Sequence, residues 1–123
     1  MRTKLKITLL MLAGLLAVSV SLFAHHGNAS YGHAKQVTLK GTVTEWDWGN
    51  PYTFLKVDIK DDGGNVVNWT IEWSAPSSLV NFGINRKTFK PGDEVTVVMI
   101  TPDNGAAVGR LQRVLLDGKW LRG

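Results

Sequence analysis

The sequence predicts a mainly β protein built as a five-stranded, closed barrel with one short helix between strands 3 and 4. Stretches of alternating apolar and polar residues recur along the chain, separated by turns rich in Gly, Pro, Asn and Asp. The first stretch is long and interrupted by Gly41, and the helix-like segment follows the third stretch. This order is that of OB-type barrels, and closure removes exposed sheet edges. A β-sandwich, the alternative, needs about seven strands.

The first strand is predicted over residues 37–48, where apolar side chains alternate with threonine and lysine. Gly41 within it predicts a bulge or a strong bend. Trp46 and Trp48 fall on the parity that is polar before the glycine, so the buried face is expected to switch after the bend. The strand is broken at residues 49–51, Gly-Asn-Pro.

A β-hairpin is the clearest local pattern. Residues 52–60 and 66–73 alternate in the manner of half-buried strands, and the intervening residues 61–65, Asp-Asp-Gly-Gly-Asn, suit a turn in which glycine takes positive φ. The parity of residues 52–60 places Tyr52 and Phe54 on the outer face of the sheet.

A short helix is predicted over residues 74–83, with Ser74 as its N-cap, Pro76 in its first turn and Gly83 at its end. Residues 94–101 are apolar on both faces, which is typical of a central strand. A last long strand follows at residues 107–116, with a short return strand at residues 119–121.

Residues 1–24 are predicted to be a cleaved signal peptide. A basic start precedes an apolar run over residues 7–23, and Ala24 is a small residue suited to cleavage. The alternative is an uncleaved membrane anchor, but the run is shorter than the roughly 20 residues that a membrane span needs. The predicted organisation is a leader (1–24), a histidine-containing arm (25–36) and a barrel domain (37–123).

Without this leader the chain is almost neutral. The 14 lysines and arginines lose the three at positions 2, 4 and 6, which leaves 11 against 10 acids and a net charge of +1. Such a domain lacks an electrostatic basis for binding nucleic acid, so we expect no nucleic-acid partner. Membrane contact is expected only through the leader before cleavage. The absence of cysteine excludes disulfides and a lipid-modified leader.

The three histidines of the chain, His25, His26 and His33, all lie in the arm, which we expect Tyr31 to dock. Cleavage after Ala24 would make His25 the first residue. Its α-amine and imidazole could then chelate Cu(II) together with His26 or His33, because nitrogen-rich ligation favours that ion. The alternative is incidental metal binding by a polar arm. Zinc is disfavoured because its structural sites usually include cysteine.

Four aromatic residues cluster at the corner between the first two strands: Trp46, Trp48, Tyr52 and Phe54. They can stack on a ligand or partner, or they can pack the core and the mouth of the barrel. Tyr52 and Phe54 are the better binding candidates because of their outward parity.

Catalysis is not expected. The chain has no thiol, and its imidazoles lie in the arm rather than in the barrel. Copper-dependent oxidative chemistry is the one enzymatic alternative that the residues leave open.

Several motifs together resemble a group of small exported bacterial proteins known only as a domain of unknown function. They are Ala24-His25-His26, Gly41-Thr42-Val43-Thr44, Trp48-Gly49-Asn50-Pro51, Val67-Asn68-Trp69, Ser74-Ala75-Pro76 and Lys90-Pro91-Gly92-Asp93-Glu94-Val95. The resemblance spans residues 24–118 and implies a periplasmic protein of OB-like shape, with no established activity. The chain departs from the group at Gly27-Asn28, often Ser-Phe, and at Tyr52, often histidine.

These observations predict a periplasmic binding or accessory module without catalysis, with a periplasmic protein or a small ligand as its partner. The alternative function is Cu(II) binding through the processed N-terminus.

Overall fold

The computed structural model describes residues 31–123, so the predicted leader, His25 and His26 lie outside the described residues. The elements that follow Tyr31 are six strands and one short helix. They are β1 (Lys35–Asp47), β2 (Thr53–Lys60), β3 (Val66–Trp73), α1 (Pro76–Leu79), β4 (Glu94–Thr101), β5 (Val108–Leu116) and β6 (Lys119–Arg122), and a 3₁₀ turn (Val80–Phe82) extends α1.

The sheet closes into a barrel. Antiparallel neighbours follow the order β3-β2-β1-β4-β5, and a parallel pairing of β3 with β5 joins the two ends of that series. The closing pairing joins residues 70–72 to residues 108–110. Strand β6 forms a hairpin with β5 outside this ring. The predicted five-stranded closed barrel, with its helix between the third and fourth strands, is confirmed.

Strand β1 serves two neighbours. Its residues 35–42 pair with β4 and its residues 42–47 pair with β2. The register with β2 shifts between Val43 and Glu45, so the irregularity lies at Thr44 and the bulge predicted at Gly41 is wrong in its position. The predicted change of buried face is confirmed: Val43 is buried before the shift, and Trp46 packs on the core after it.

Gly41 has a different structural role, at a close approach of β1 to β2. A Cβ added there would overlap the carbonyl oxygen of Asp58 and would lie 2.6 Å from Val57 Cγ1 and 2.8 Å from Ile59 Cγ1. Only glycine fits so near a neighbouring backbone.

The core follows the alternation of the strands. Inward-facing aliphatic side chains are buried along all five strands of the barrel, and the segment between β3 and β4 adds further apolar groups. The strands contribute Val43, Leu55, Val57, Ile59, Ile71, Trp73, Val95, Val97, Met99, Leu111 and Val114, and the segment contributes Leu79, Ile84 and Phe89.

The helix is shorter than predicted, and its cap differs. Pro76 begins it, and Gly83 ends the 3₁₀ turn with φ of 76°, as the sequence indicates. Ala75 occupies the N-cap without a side-chain hydrogen bond, so the prediction of Ser74 as N-cap is wrong. The carbonyl oxygen of Ser74 instead accepts hydrogen bonds from the backbone N–H of Thr53 (3.3 Å) and its Oγ1 (2.9 Å), which holds the end of β3 against β2.

The hairpin turn between β2 and β3 is confirmed. Asp61 Oδ1 accepts hydrogen bonds from the backbone N–H groups of Gly63 and Asn65, both at 2.9 Å, and Gly64 has φ of 79°. Residues 31–123 contain no helix with the length and apolar character required to cross a membrane.

Candidate ligand-binding cleft

The structure divides the four corner aromatics into two pairs. Trp46 packs on the core: its ring centroid lies 4.9 Å from that of Phe89 and 5.7 Å from that of Trp48, and its Nε1–H donates a 3.0 Å hydrogen bond to the carbonyl of Asn85. Trp48 is also half-buried against the core. This geometry matches the packing interpretation of the two tryptophans.

Tyr52 and Phe54 lie on the outside of the barrel. Their neighbours Thr53 and Leu55 are fully buried, whereas Tyr52 is 49% exposed and Phe54 is half-buried. The outward parity predicted for this pair is therefore observed.

Phe54 begins a row of side chains that crosses three strands. It lies opposite Glu72 in the β2–β3 pairing, and Glu72 lies beside Arg110 in the parallel β3–β5 pairing. Arg110 Nε is 3.8 Å from Glu72 Oε2, and both side chains are partly exposed. An apolar ring, an acid and a base therefore lie side by side on the outer face, where the barrel closes.

Tyr31 covers one side of this row. The guanidinium carbon of Arg110 lies 4.1 Å from the centroid of the Tyr31 ring, a cation–π distance. Burial raises the pKa of Tyr31 above its ordinary value; the positive charge of Arg110 opposes this shift, and the negative charge of Glu72 adds to it. The expected docking of the arm by Tyr31 is observed at this residue.

Two adjoining clefts share Glu72 and Arg110. The larger, about 400 Å³, is lined by Tyr52, Glu72, Trp73, Ser74, Arg110 and Leu111. The smaller, about 160 Å³, lies between Tyr31 and Phe54. We call the larger one the seam cleft, because it lies where the β3–β5 pairing ends.

The cleft opens for a reason of topology. The last residues paired between β3 and β5 are Glu72 and Arg110. Beyond them β3 ends at Trp73 and is held by Ser74 to β2, whereas β5 continues between β4 and β6. The strands separate, and the inward-facing residues Trp73 and Leu111 line the gap.

The indole N–H of Trp73 is unsatisfied. Trp73 is only 4% exposed, and its Nε1–H has no hydrogen-bond acceptor among the described residues. A buried indole N–H normally finds a partner. Nε1 is sealed from solvent and the ring packs near Trp46 and Phe89 in the core, so this donor is not part of the accessible surface of the seam cleft.

Another cleft, of about 490 Å³, lies above Gly41. It is lined by Lys40, Gly41, Thr42, Asp58, Lys60, Val66 and Glu94, none of which is aromatic. Thr42 Oγ1 already donates a 2.7 Å hydrogen bond to Glu94 there. It lacks the aromatic ring that Tyr52 gives the seam cleft, and on that ground we rank it second.

The predicted metal ligands are only partly within the structure. His33 is exposed, while His25 and His26 lie outside the described residues. From residue 31 onward, no group of three or more His, Cys, Asp or Glu side chains is placed to hold a metal ion.

Several basic side chains on the outer surface have an acidic or aromatic neighbour. Lys56 Nζ lies 3.0 Å from Glu45 Oε2, and the guanidinium carbon of Arg113 lies 4.7 Å from the centroid of Trp120. Lys56 and Arg113 therefore each lie beside an opposite charge or an aromatic ring.

Glu72, Trp73 and Arg110 were not predicted as site residues. In the sequence they are an acidic residue, an aromatic residue at the end of a strand and a basic residue in a later strand. None of these alone indicates a site. Only the parallel register, which joins positions far apart in the chain, brings them together.

The fold and the cleft define a small closed β-barrel of the OB type with a concave site on its outer face. Residues 12–112 match DUF6152, a family of unknown function, and the chain belongs to that family. The predicted resemblance to an uncharacterised domain family is confirmed. No curated protein and no solved structure matches the chain.

Proposed function

We propose that this protein is a periplasmic, non-catalytic binding module that takes up a small ligand in the seam cleft. Export rests on the predicted leader, with cleavage after Ala24. The observation that carries the proposal is the convergence of Tyr52 and the Glu72–Arg110 pair on one concavity.

The volume of the cleft is compatible with a small ligand. It is about 400 Å³, toward the lower end of the roughly 300–1,000 Å³ of small-molecule sites. Its lining brings Tyr52 and Leu111 together with the charged Glu72 and Arg110. An acid and a base within one cleft can orient a polar ligand, and the exposed ring of Tyr52 can pack on its apolar part.

Ligand-observed NMR on the purified, processed protein tests this function. A mixture of small carboxylates, amines, amino acids and sugars is screened against the wild type, Tyr52→Ala and Trp120→Ala. Trp120 is a matched control, because it is an exposed aromatic residue of β6 that lies beside Arg113 of β5.

We expect at least one compound whose binding signal is lost with Tyr52→Ala and kept with Trp120→Ala. If no compound distinguishes the two variants, the seam cleft is not a small-molecule site. Binding only of a macromolecular partner would also contradict the proposal.

Cu(II) binding through the processed N-terminus is the second candidate. It rests on the sequence and on one structural observation: His33, within the arm, is exposed two residues from the docked Tyr31, so its imidazole is accessible. Mass spectrometry of protein from the periplasm establishes whether His25 is the first residue. Copper titration of that material should then show tight binding that His25→Ala abolishes, while affinity retained in this variant would mean incidental chelation.

A further inference from the structure

We infer that the seam cleft binds a free α-amino acid with an aromatic side chain. This inference rests on the proposed function and specifies its ligand class. It follows from the paired charges and the exposed ring that line one concavity.

The charges of the cleft match a zwitterion. Glu72 and Arg110 are adjacent in register, their charged groups are 3.8 Å apart, and their side chains are 36% and 43% exposed. A ligand with only a negative charge would meet repulsion from Glu72, and one with only a positive charge would meet repulsion from Arg110. A ligand that carries an ammonium and a carboxylate on one carbon complements both groups.

The base of the cleft suits a carboxylate. An ionised carboxylate only accepts hydrogen bonds, and a guanidinium presents several N–H donors in a planar fork that matches it. Arg110 lines the cleft beside Glu72 and supplies this charged donor.

The remaining walls suit a ring. Tyr52 is 49% exposed at the rim, and Leu111 forms an apolar part of the wall. Aromatic rings pack favourably in offset or edge-to-face arrangements, so a planar side chain gains more from Tyr52 than an aliphatic one of similar size.

Isothermal titration with L-phenylalanine as the probe tests the inference. Three comparison compounds each lack one recognised group: 3-phenylpropanoate has no ammonium, phenethylamine has no carboxylate, and L-alanine has no ring. We expect phenylalanine to bind, and each comparison compound to bind roughly tenfold more weakly or less, because each loses a charge-assisted hydrogen bond or the ring contact.

Glu72→Gln provides the matched variant, because it removes the charge of a partly exposed side chain and keeps its shape. It should weaken phenylalanine binding roughly tenfold while leaving 3-phenylpropanoate binding unchanged or stronger. Trp120→Ala should bind phenylalanine as the wild type does. Circular dichroism of each variant establishes that it is folded.

The outcomes separate the two proposals. Equal binding of phenylalanine and 3-phenylpropanoate, both lost with Tyr52→Ala, would overturn the zwitterion inference and support the seam cleft as a binding site. Tyr52-dependent binding of other compounds without binding of phenylalanine would do the same. The absence of any Tyr52-dependent binding would overturn both.

Discussion

Substitution of Gly41 by alanine tests the closeness of β1 and β2. The added methyl would overlap the carbonyl oxygen of Asp58 and would stand 2.6 and 2.8 Å from side-chain carbons of Val57 and Ile59. Real Cβ contacts are essentially never shorter than 3.0 Å, so the strands must move apart. The obstructing atom is a backbone oxygen in a paired strand, which cannot rotate away as a side chain can.

The expected cost is the balance of two effects. Overpacking of a core by one methyl costs about 1–3 kcal/mol, and a rigid backbone obstacle places this site at the upper end. Alanine in a strand recovers about 0.5–1 kcal/mol of the conformational entropy that glycine loses on folding. The free energy of unfolding should therefore fall by about 2 kcal/mol.

Urea unfolding followed by tryptophan fluorescence measures this change. With a slope of about 1 kcal/mol per M or a little more, the midpoint should fall by about 1–2 M, and the melting temperature should fall by roughly 10 °C. Gly63→Ala is the control, because its Cβ would lie 3.3 Å from Asn65 Nδ2 and 3.4 Å from Asp61 Oδ1 in an exposed turn. Its stability should stay within about 0.5 kcal/mol of the wild type. Equal midpoints for the two variants would refute the close approach.

Three further perturbations probe other parts of the fold. Asp61→Ala removes two hydrogen bonds of the hairpin turn and should lower the free energy of unfolding in urea by about 1–2 kcal/mol. Asp62→Ala should change it little. Equal effects of the two substitutions would contradict the role of Asp61. Trp46→Phe removes the bond to Asn85 and should cost about 1 kcal/mol, and an unchanged midpoint would contradict that bond. The pKa of Tyr31 is raised above the unfolded value of about 10, so its contribution to stability is present below about pH 10 and is lost as pH rises through the folded pKa. In Tyr31→Phe the free energy of unfolding should therefore fall less at alkaline pH than in the wild type. If stability depends on pH identically in both proteins, the docking of Tyr31 is refuted.

Much of the fold could be predicted because side-chain alternation is local information. The predicted limits of β3 and β4 are the observed ones, and β2 and β5 each begin one residue later than predicted. The start of β1 was missed by two residues, since Lys35 and Gln36 carry no apolar signal and join the sheet only through pairing with β4.

The sequence predictions that were wrong concern residues that can take more than one structural role. A glycine within a strand can mark a bulge or a close approach, and the sequence does not distinguish them. At Gly41 the close approach applies, and the bulge lies at Thr44. Ser74 is a frequent N-cap type, but the observed helix begins one residue later, and the Ser74 carbonyl contacts Thr53.

The seam cleft depends on the one pairing that the sequence could not reveal. Alternation predicts that Tyr52 and Phe54 face outward, but no local pattern indicates that Glu72 will lie beside Arg110 in a parallel pair. Because the β3–β5 pairing joins only residues 70–72 to residues 108–110, the two strands separate before Trp73 and Leu111 would pair. A longer pairing would bond more backbone and close the cleft. The short pairing therefore exchanges backbone hydrogen bonds for a concavity lined by an acid and a base, and we propose that ligand binding offsets this exchange.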